Sequence, residues 1–386
     1  MKTVNDIITR DIEKPLEHWL FKKKVLILYG ARQVGKTTVA QSLLKRFGKP
    51  EDYYNCDLLS VREILEKQDP QLLREYTKQS ALFVLDEAQQ VRDIGKALKI
   101  FHDAYPEVQI IATGSSSFDL ANKLNEPLTG RSIEFILYPF SLHELSQRRS
   151  HFDLLAGLER SMIYGGYPDV ALADSADDGQ KLLSMIASSY LYKDILMFEN
   201  LRKPALLLDL LKLLALQLGS EVSVHEIAVK LNTGTTTIER YVDLLEKAFV
   251  IFRLRSFSRN LRNEIGKKYK VYFYDIGVRN ILIERMTGFD RRDDIGALWE
   301  NFCIIERLKY NQRHSHARNI YFWRTHGGGH GGKEIDYIEE YDGELHGYEF
   351  KWGSAKYKEP DEFLSTYPKS SIHVIRKDNW LDFLMK

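Results

Sequence analysis

The stretch Gly30-Ala31-Arg32-Gln33-Val34-Gly35-Lys36-Thr37 constrains this chain most, because it follows the apolar run Val25 to Tyr29 and precedes a helix-forming segment from Thr38 to Phe47. A strand, a glycine-bounded loop and a helix N-terminus in that order make an anion cradle. The glycines let the backbone curl until several N–H groups face one point, and the helix dipole adds positive potential there. Lys36 is then expected to reach the β- and γ-phosphates of a nucleotide, and the Thr37 hydroxyl to bind its Mg2+. Gly30, Arg32, Gly35 and Thr38 complete the loop.

A second apolar run, Ala81 to Leu85, ends in Asp86 and Glu87. This predicts a buried parallel strand that delivers acids at its C-terminal edge, where ligands of open α/β sheets bind. With a phosphate loop upstream, Asp86 is expected to hold Mg2+ and Glu87 to polarise the attacking water. A third buried strand, Val108 to Ala112, leads into Thr113-Gly114-Ser115-Ser116-Ser117.

At 386 residues the chain is expected to hold two to four domains. Its net charge is only +1, so any contact with nucleic acid must come from a local patch. Cys56 and Cys303 stand far apart and form no metal-ligand spacing, which predicts free buried thiols in a reducing compartment. The most apolar stretch, Leu206 to Leu218, contains Asp209 and Lys212 and falls short of the roughly 20 residues a membrane span needs. With charged residues and no apolar leader near the N-terminus, a cytoplasmic protein is expected.

Residues 204 to 262 look like a winged helix-turn-helix: an apolar helix, a short helix from Val224, the turn Asn232-Thr233-Gly234, and a second helix from Thr235 to Phe249. Thr235, Thr236, Glu239, Arg240 and Asp243 are expected to face outward, a set poor in base-reading cations. The following stretch is basic, with Arg253, Arg255, Arg259, Arg262, Lys267, Lys268 and Lys270 against the single acid Glu264. Such a wing suits contact with DNA phosphates.

The last domain reads helix, three strands, helix, strand, an order similar to the core of the PD-(D/E)xK nuclease fold. Asp336 lies in its second strand and Glu349-Phe350-Lys351 in its third, where period-two alternation puts Glu349 and Lys351 on one face. Glu300, in the first helix, could complete a carboxylate cluster. Carboxylates so placed can hold a divalent ion, and a neighbouring lysine can orient water, so metal binding by Glu300, Asp336 and Glu349 with Lys351 is expected, and with it cleavage of some DNA substrate. A structural salt bridge among the same residues is the alternative. His326 and His330, in a glycine-rich loop between the first two strands, are expected to face solvent.

The segment after Val108 resembles the AAA+ ATPases, in which a polar residue at this strand's end touches the γ-phosphate. Ser115 is the expected sensor, with Thr113 behind it. The resemblance also implies that Arg131, in Leu128-Thr129-Gly130-Arg131, is an arginine finger pointing into a neighbouring subunit's nucleotide. It further implies a helical lid after the core, in which Lys193 could stand in for a second sensor. Together with Gly165-Gly166-Tyr167-Pro168 and Tyr272-Phe273-Tyr274-Asp275-Ile276-Gly277, these motifs resemble the prokaryotic AAA-type ATPases that carry a C-terminal domain of unknown function numbered 4143. The fold this implies is α/β: a P-loop AAA+ core (1–138), a lid (139–202), a winged helix (203–265) and a PD-(D/E)xK-like domain (266–386). The activity it implies is Mg2+-dependent ATP hydrolysis by a homo-oligomer, a hexameric ring included, that remodels DNA duplexes or junctions. An ATP-controlled switch with an inactive nuclease-like domain is the alternative.

Overall fold

The computed structural model describes residues 8–114, 128–188, 204–258, 269–316, 318–325, 333–354 and 356–385. Its contacts divide the chain into one unit of Met1–Phe140 with Lys247–Val250 and another of Ser141–Glu246 with Ile251–Lys386. Among the described residues no helix is long and apolar enough to cross a membrane.

In the first unit, β1 (Val25–Tyr29), β2 (Tyr53–Asn55), β3 (Leu82–Asp86), β4 (Gln109–Gly114) and β5 (Ser132–Ile136) form a parallel sheet in the order β2-β3-β4-β1-β5. β1, β3 and β4 are buried along their whole length, which is why their sequences are near-continuous apolar runs rather than alternations. Because all strands run the same way, the C-terminal ends of β1, β3 and β4 lie on one edge. That edge is where such sheets bind ligands.

In the second unit, β6 (Ile251–Ser256), β7 (Tyr269–Phe273), β8 (Asn319–Arg324), β9 (Glu334–Tyr341), β10 (Glu344–Phe350) and β11 (Ser370–Ile375) form a sheet in the order β11-β10-β9-β8-β6-β7. The helices Pro204–Leu216, Val224–Lys230 and Thr235–Lys247, expected as the helix-turn-helix, precede it in the chain. The hairpin expected as a wing, however, is one edge of this sheet, since β6 pairs parallel with β8 through Arg255↔Tyr321 and Ser256↔Phe322. Phe257 continues the attachment by packing with Trp323, Ile335 and Phe363 in the core. The expected boundary at 265/266 therefore falls between β6 and β7, which pair with each other from Ile251↔Phe273 to Arg255↔Tyr269.

The stretch expected as a lid also packs within this second unit, its helices Leu158–Tyr164 and Ala176–Ala187 lying against the helix Ile276–Leu282. The buried Asp275 carboxylate ties them by accepting hydrogen bonds from the backbone N–H of Gly166 at 2.7 Å and of Val278 at 3.1 Å. A Cβ at Gly165, whose φ is +76°, would lie 2.1 Å from Asp275 Oδ1, and one at Gly277 would lie 2.1 Å from the Tyr164 carbonyl oxygen. Two motifs remote in sequence are thus the halves of one junction that only glycine permits.

Candidate nucleotide site and a carboxylate cluster

The phosphate loop leaves β1 at Gly30 and enters the helix Lys36–Phe47 at Gly35, with φ of +154° and +101° at the two glycines. A Cβ at Gly30 would sit 2.4 Å from the Leu137 carbonyl oxygen, so the loop can turn there only without a side chain. Lys36 is buried and donates to the carbonyls of Gly30 and Ala31 at 3.0 and 2.9 Å. Arg32 is half-buried and Thr38 exposed.

Asp86, at the end of β3, is the hub of this edge. Its Oδ2 accepts the Thr37 hydroxyl at 2.8 Å and the Tyr53 hydroxyl as well, while its Oδ1 accepts the Thr113 hydroxyl. Burial and the Asp86 carboxylate both push the Tyr53 phenol upward, so it stays a donor. Thr113 is fully buried and also accepts the backbone N–H of Glu87 at 3.2 Å. Glu87 itself sits in left-handed backbone at φ +54°, and its carboxylate accepts the Gln89 amide. Expected to stand behind Ser115, Thr113 is the residue at the hub; Ser115 lies outside the described residues, as does Lys193. Thr37 and Asp86 supply hard oxygen donors, and that donor set fits Mg2+.

Arg10 escaped the sequence reading. It is buried, donates from Nη1 to the Val34 carbonyl of the phosphate loop at 2.7 Å and from Nη2 to the Tyr138 carbonyl at 2.6 Å, and lies 4.7 Å over the Phe140 ring. Nothing in the charged segment ahead of the first helix, Glu13–Trp19, signals such a reach, since both partners are carbonyls distant in sequence.

Arg131 precedes β5, whose Ser132 pairs with Val25 at the start of β1. At about 3.3 Å per residue, the length of β1 puts Arg131 roughly 16 Å from its own phosphate loop, at the opposite edge of the sheet. There it forms a two-point pair with Asp103, Nε to Oδ1 at 2.7 Å and Nη2 to Oδ2 at 3.2 Å.

The basic stretch divides. Arg253 is not available to phosphate: it pairs with Glu246, with Asp243 at 2.7 Å and with Glu239 at 3.8 Å, acids of the helix Thr235–Lys247. Arg240 and Arg255 are exposed. Arg259, Arg262, Lys267 and Lys268 lie outside the described residues, as do His326 and His330. Lys270, expected in the wing, is instead 2% exposed on β7 and points into the acids of the C-terminal domain.

There the structure does bring Glu300, Asp336, Glu349 and Lys351 into one cluster and adds Lys270, Tyr272 and Glu334. Lys270 Nζ lies 3.0 Å from Glu300 Oε1 and 4.0 Å from Asp336 Oδ1, and it pairs with Glu334. Tyr272 donates to the same Glu300 oxygen. Lys351 Nζ meets Glu349 Oε1 at 2.5 Å, as strand alternation predicts, and Asp336 Oδ2 accepts the Phe350 N–H at 2.9 Å. Burial, then Glu300 and Glu349, drive the Asp336 carboxyl well above the usual range. Among the described residues no three His, Cys, Asp or Glu side chains are grouped so as to hold a metal ion. The expected metal triad therefore does not fit: Glu300 is committed to Lys270 and Tyr272, and Glu349 to Lys351.

Both cysteines are buried and free, and burial with nearby Asp86 pushes the Cys56 thiol up to about 12. An inert structural role fits both.

Residues 22–146 match the family model described as an AAA domain, residues 155–290 a domain of unknown function numbered 8612, and residues 295–381 the domain of unknown function numbered 4143. An uncharacterized protein of Mycobacterium tuberculosis is 27% identical over 349 residues, which span 89% of this chain and 73% of that protein. Another, from Haemophilus influenzae, is 26% identical over 307 residues, 74% of each. A third, from Methanocaldococcus jannaschii, is 26% identical over 325 residues, 78% of this chain and 69% of that one. Among solved structures, AMPPCP-bound DnaA from Aquifex aeolicus aligns over 63% of this chain and 90% of its own at 15% identity, with a TM-score of 0.29, too loose a likeness to carry an argument. The chain thus matches an AAA domain around its phosphate loop and the domain numbered 4143 around its carboxylate cluster, the pairing that its motifs resemble.

Proposed function

We propose that this chain is a Mg2+-dependent ATPase of the cytoplasm that assembles as a homo-oligomer and acts on DNA. The observation that carries the ATPase reading is the hub at Asp86, where one carboxylate gathers Thr37 of the phosphate loop and Thr113 of β4 beside Glu87. Bound Mg2+–ATP supplies the transferable phosphoryl group and a cation that gathers its charge. The N–H groups of the loop orient the phosphates, and Lys36 exchanges its two loop carbonyls for phosphate oxygens. Thr37 and Asp86, which share a hydrogen bond, would hold the metal. Glu87, steadied by Gln89, orients the attacking water. Arg131, too far from its own phosphate loop, serves a neighbour's. The reading is tested by Lys36→Ala, which should weaken nucleotide binding, and Glu87→Gln, which should retain ATP without turning it over. Equal hydrolysis by wild type and Glu87→Gln would sink it.

Support for DNA as partner comes from the helix-turn-helix and the exposed Arg240 and Arg255; Arg259 and Arg262 belong to the same proposal. ATPase rates with linear, forked and four-way DNA, and the salt dependence of binding, test it; no stimulation and no binding would remove DNA. A second reading is an ATP-controlled switch whose C-terminal domain does not cleave, and the ammonium of Lys270 among the acids favours it. Nicking of any of these DNAs that Asp336→Asn abolishes would exclude that reading.

A further inference from the structure

We propose that Lys270 is the resident cation of the C-terminal carboxylate cluster, its ammonium standing where a nuclease-like domain would hold a divalent ion, so that this cluster binds no metal. The inference deepens the non-cleaving reading above and is independent of whether the first unit hydrolyses ATP.

Every residue of β7 is buried, and Lys270 is delivered inward by pairing opposite Leu254 of β6. Its Nζ lies 5.5 Å from the Phe322 ring centroid on one side and faces Glu300, Glu334 and Asp336 on the other. An ammonium so enclosed cannot recover its hydration by a rotamer change, and it persists only because carboxylates surround it. Lys351 meets Glu349, so each of the four acids Glu300, Glu334, Asp336 and Glu349 has an ammonium at 4.0 Å or nearer. A divalent ion entering this group would meet a fixed like charge at close range, where the attraction it needs is already taken by Lys270.

One oxygen marks what the lysine suppresses. Glu349 Oε2 is buried and has no hydrogen-bond partner among the described residues. Removing the ammonium while keeping the volume should leave Glu300, Glu334 and Asp336 uncompensated next to that oxygen, and a hard divalent cation is what such a set of carboxylates draws.

The test is Mn2+ binding by electron paramagnetic resonance, on nucleotide-free full-length protein, for wild type, Asp336→Asn, Glu349→Gln, Lys270→Met and Lys270→Met with Glu349→Gln. Mn2+ binding by wild type should be unchanged in Asp336→Asn and Glu349→Gln. Lys270→Met should gain a site at least tenfold tighter than any wild-type site, accompanied by a Mn2+-dependent rise in melting temperature, and the added Glu349→Gln should abolish both. A wild-type Mn2+ site lost in Asp336→Asn or Glu349→Gln overturns the proposal, as does a folded Lys270→Met that gains no site. Should Lys270→Met fail to fold, the wild-type comparison still decides.

Discussion

Both units collect acids in their sheets, and they neutralise them with different chemistry. At the edge of the first sheet Asp86 is met by three hydroxyls, those of Thr37, Tyr53 and Thr113. In the second unit Glu300, Glu334 and Glu349 are met by the ammoniums of Lys270 and Lys351. A hydroxyl carries no net charge and can turn away, so the Asp86 carboxylate remains open to a cation. A buried ammonium cannot leave without stranding its carboxylates. The same side-chain type is therefore available for chemistry in one place and committed to structure in the other.

The largest effect should come from Arg131, which we propose serves a neighbour's first site. Arg131→Ala should slow ATP turnover about 10³- to 10⁵-fold, the range of a missing arginine finger, and mixing it with Lys36→Ala subunits should restore part of the rate. Mixtures no faster than their parents would show that the first site, like the carboxylate cluster, is complete within one chain.

Next is the comparison of acids across the two units. Glu87→Gln should lower steady-state hydrolysis by about 10² to 10⁴, as for loss of a general base, while bound ATP is retained on a filter assay. Asp336→Asn should leave the same rate within about twofold. A comparable loss in both variants would mean that the cluster is part of the ATPase cycle and the contrast is false.

Committed charge should also differ by burial. Glu339 is fully buried and bonded to Arg307 at 3.0 and 3.1 Å, to Asn311 at 2.6 Å and to Arg318. Glu339→Ala strands two arginines and should cost about 3–5 kcal/mol in denaturant unfolding. Asp103→Ala, which frees the partly exposed Arg131, should cost no more than about 1 kcal/mol. Similar costs would remove burial as the distinguishing cause.

The smallest effect separates two neighbouring arginines. Arg255→Glu should lower DNA affinity and reduce the log–log salt slope by about one, the signature of a lost phosphate contact. Arg253→Ala should leave the slope unchanged, because its charge is spent within the protein on Glu239, Asp243 and Glu246. Equal slopes in the two variants would return Arg253 to the DNA face.

Much of the first site was legible because its parts are contiguous. A buried strand, a glycine loop and a helix are written in one run, and Asp86 and Glu87 end another. That the Thr113 hydroxyl reaches Asp86 was not legible, since it depends on the parallel register that sets Leu85 opposite Ala112. Lys270 was misread for a related reason: it stands in a basic run, and its acceptor Glu300 comes 30 residues later on a helix.

The sequence by itself determined the local elements and the facing of neighbours along them, including the phosphate loop, the acids ending β3, and Glu349 beside Lys351, because each follows from backbone periodicity over a few residues. Only the tertiary structure decided which charges are free. It tied Arg253 to a helix, buried Lys270 among carboxylates, moved the wing into the C-terminal sheet and set Arg10 on the phosphate loop. The physical reason is that charge compensation is settled through space, between groups that strand pairing and helix packing bring within a few ångströms, and no one-dimensional period records that distance.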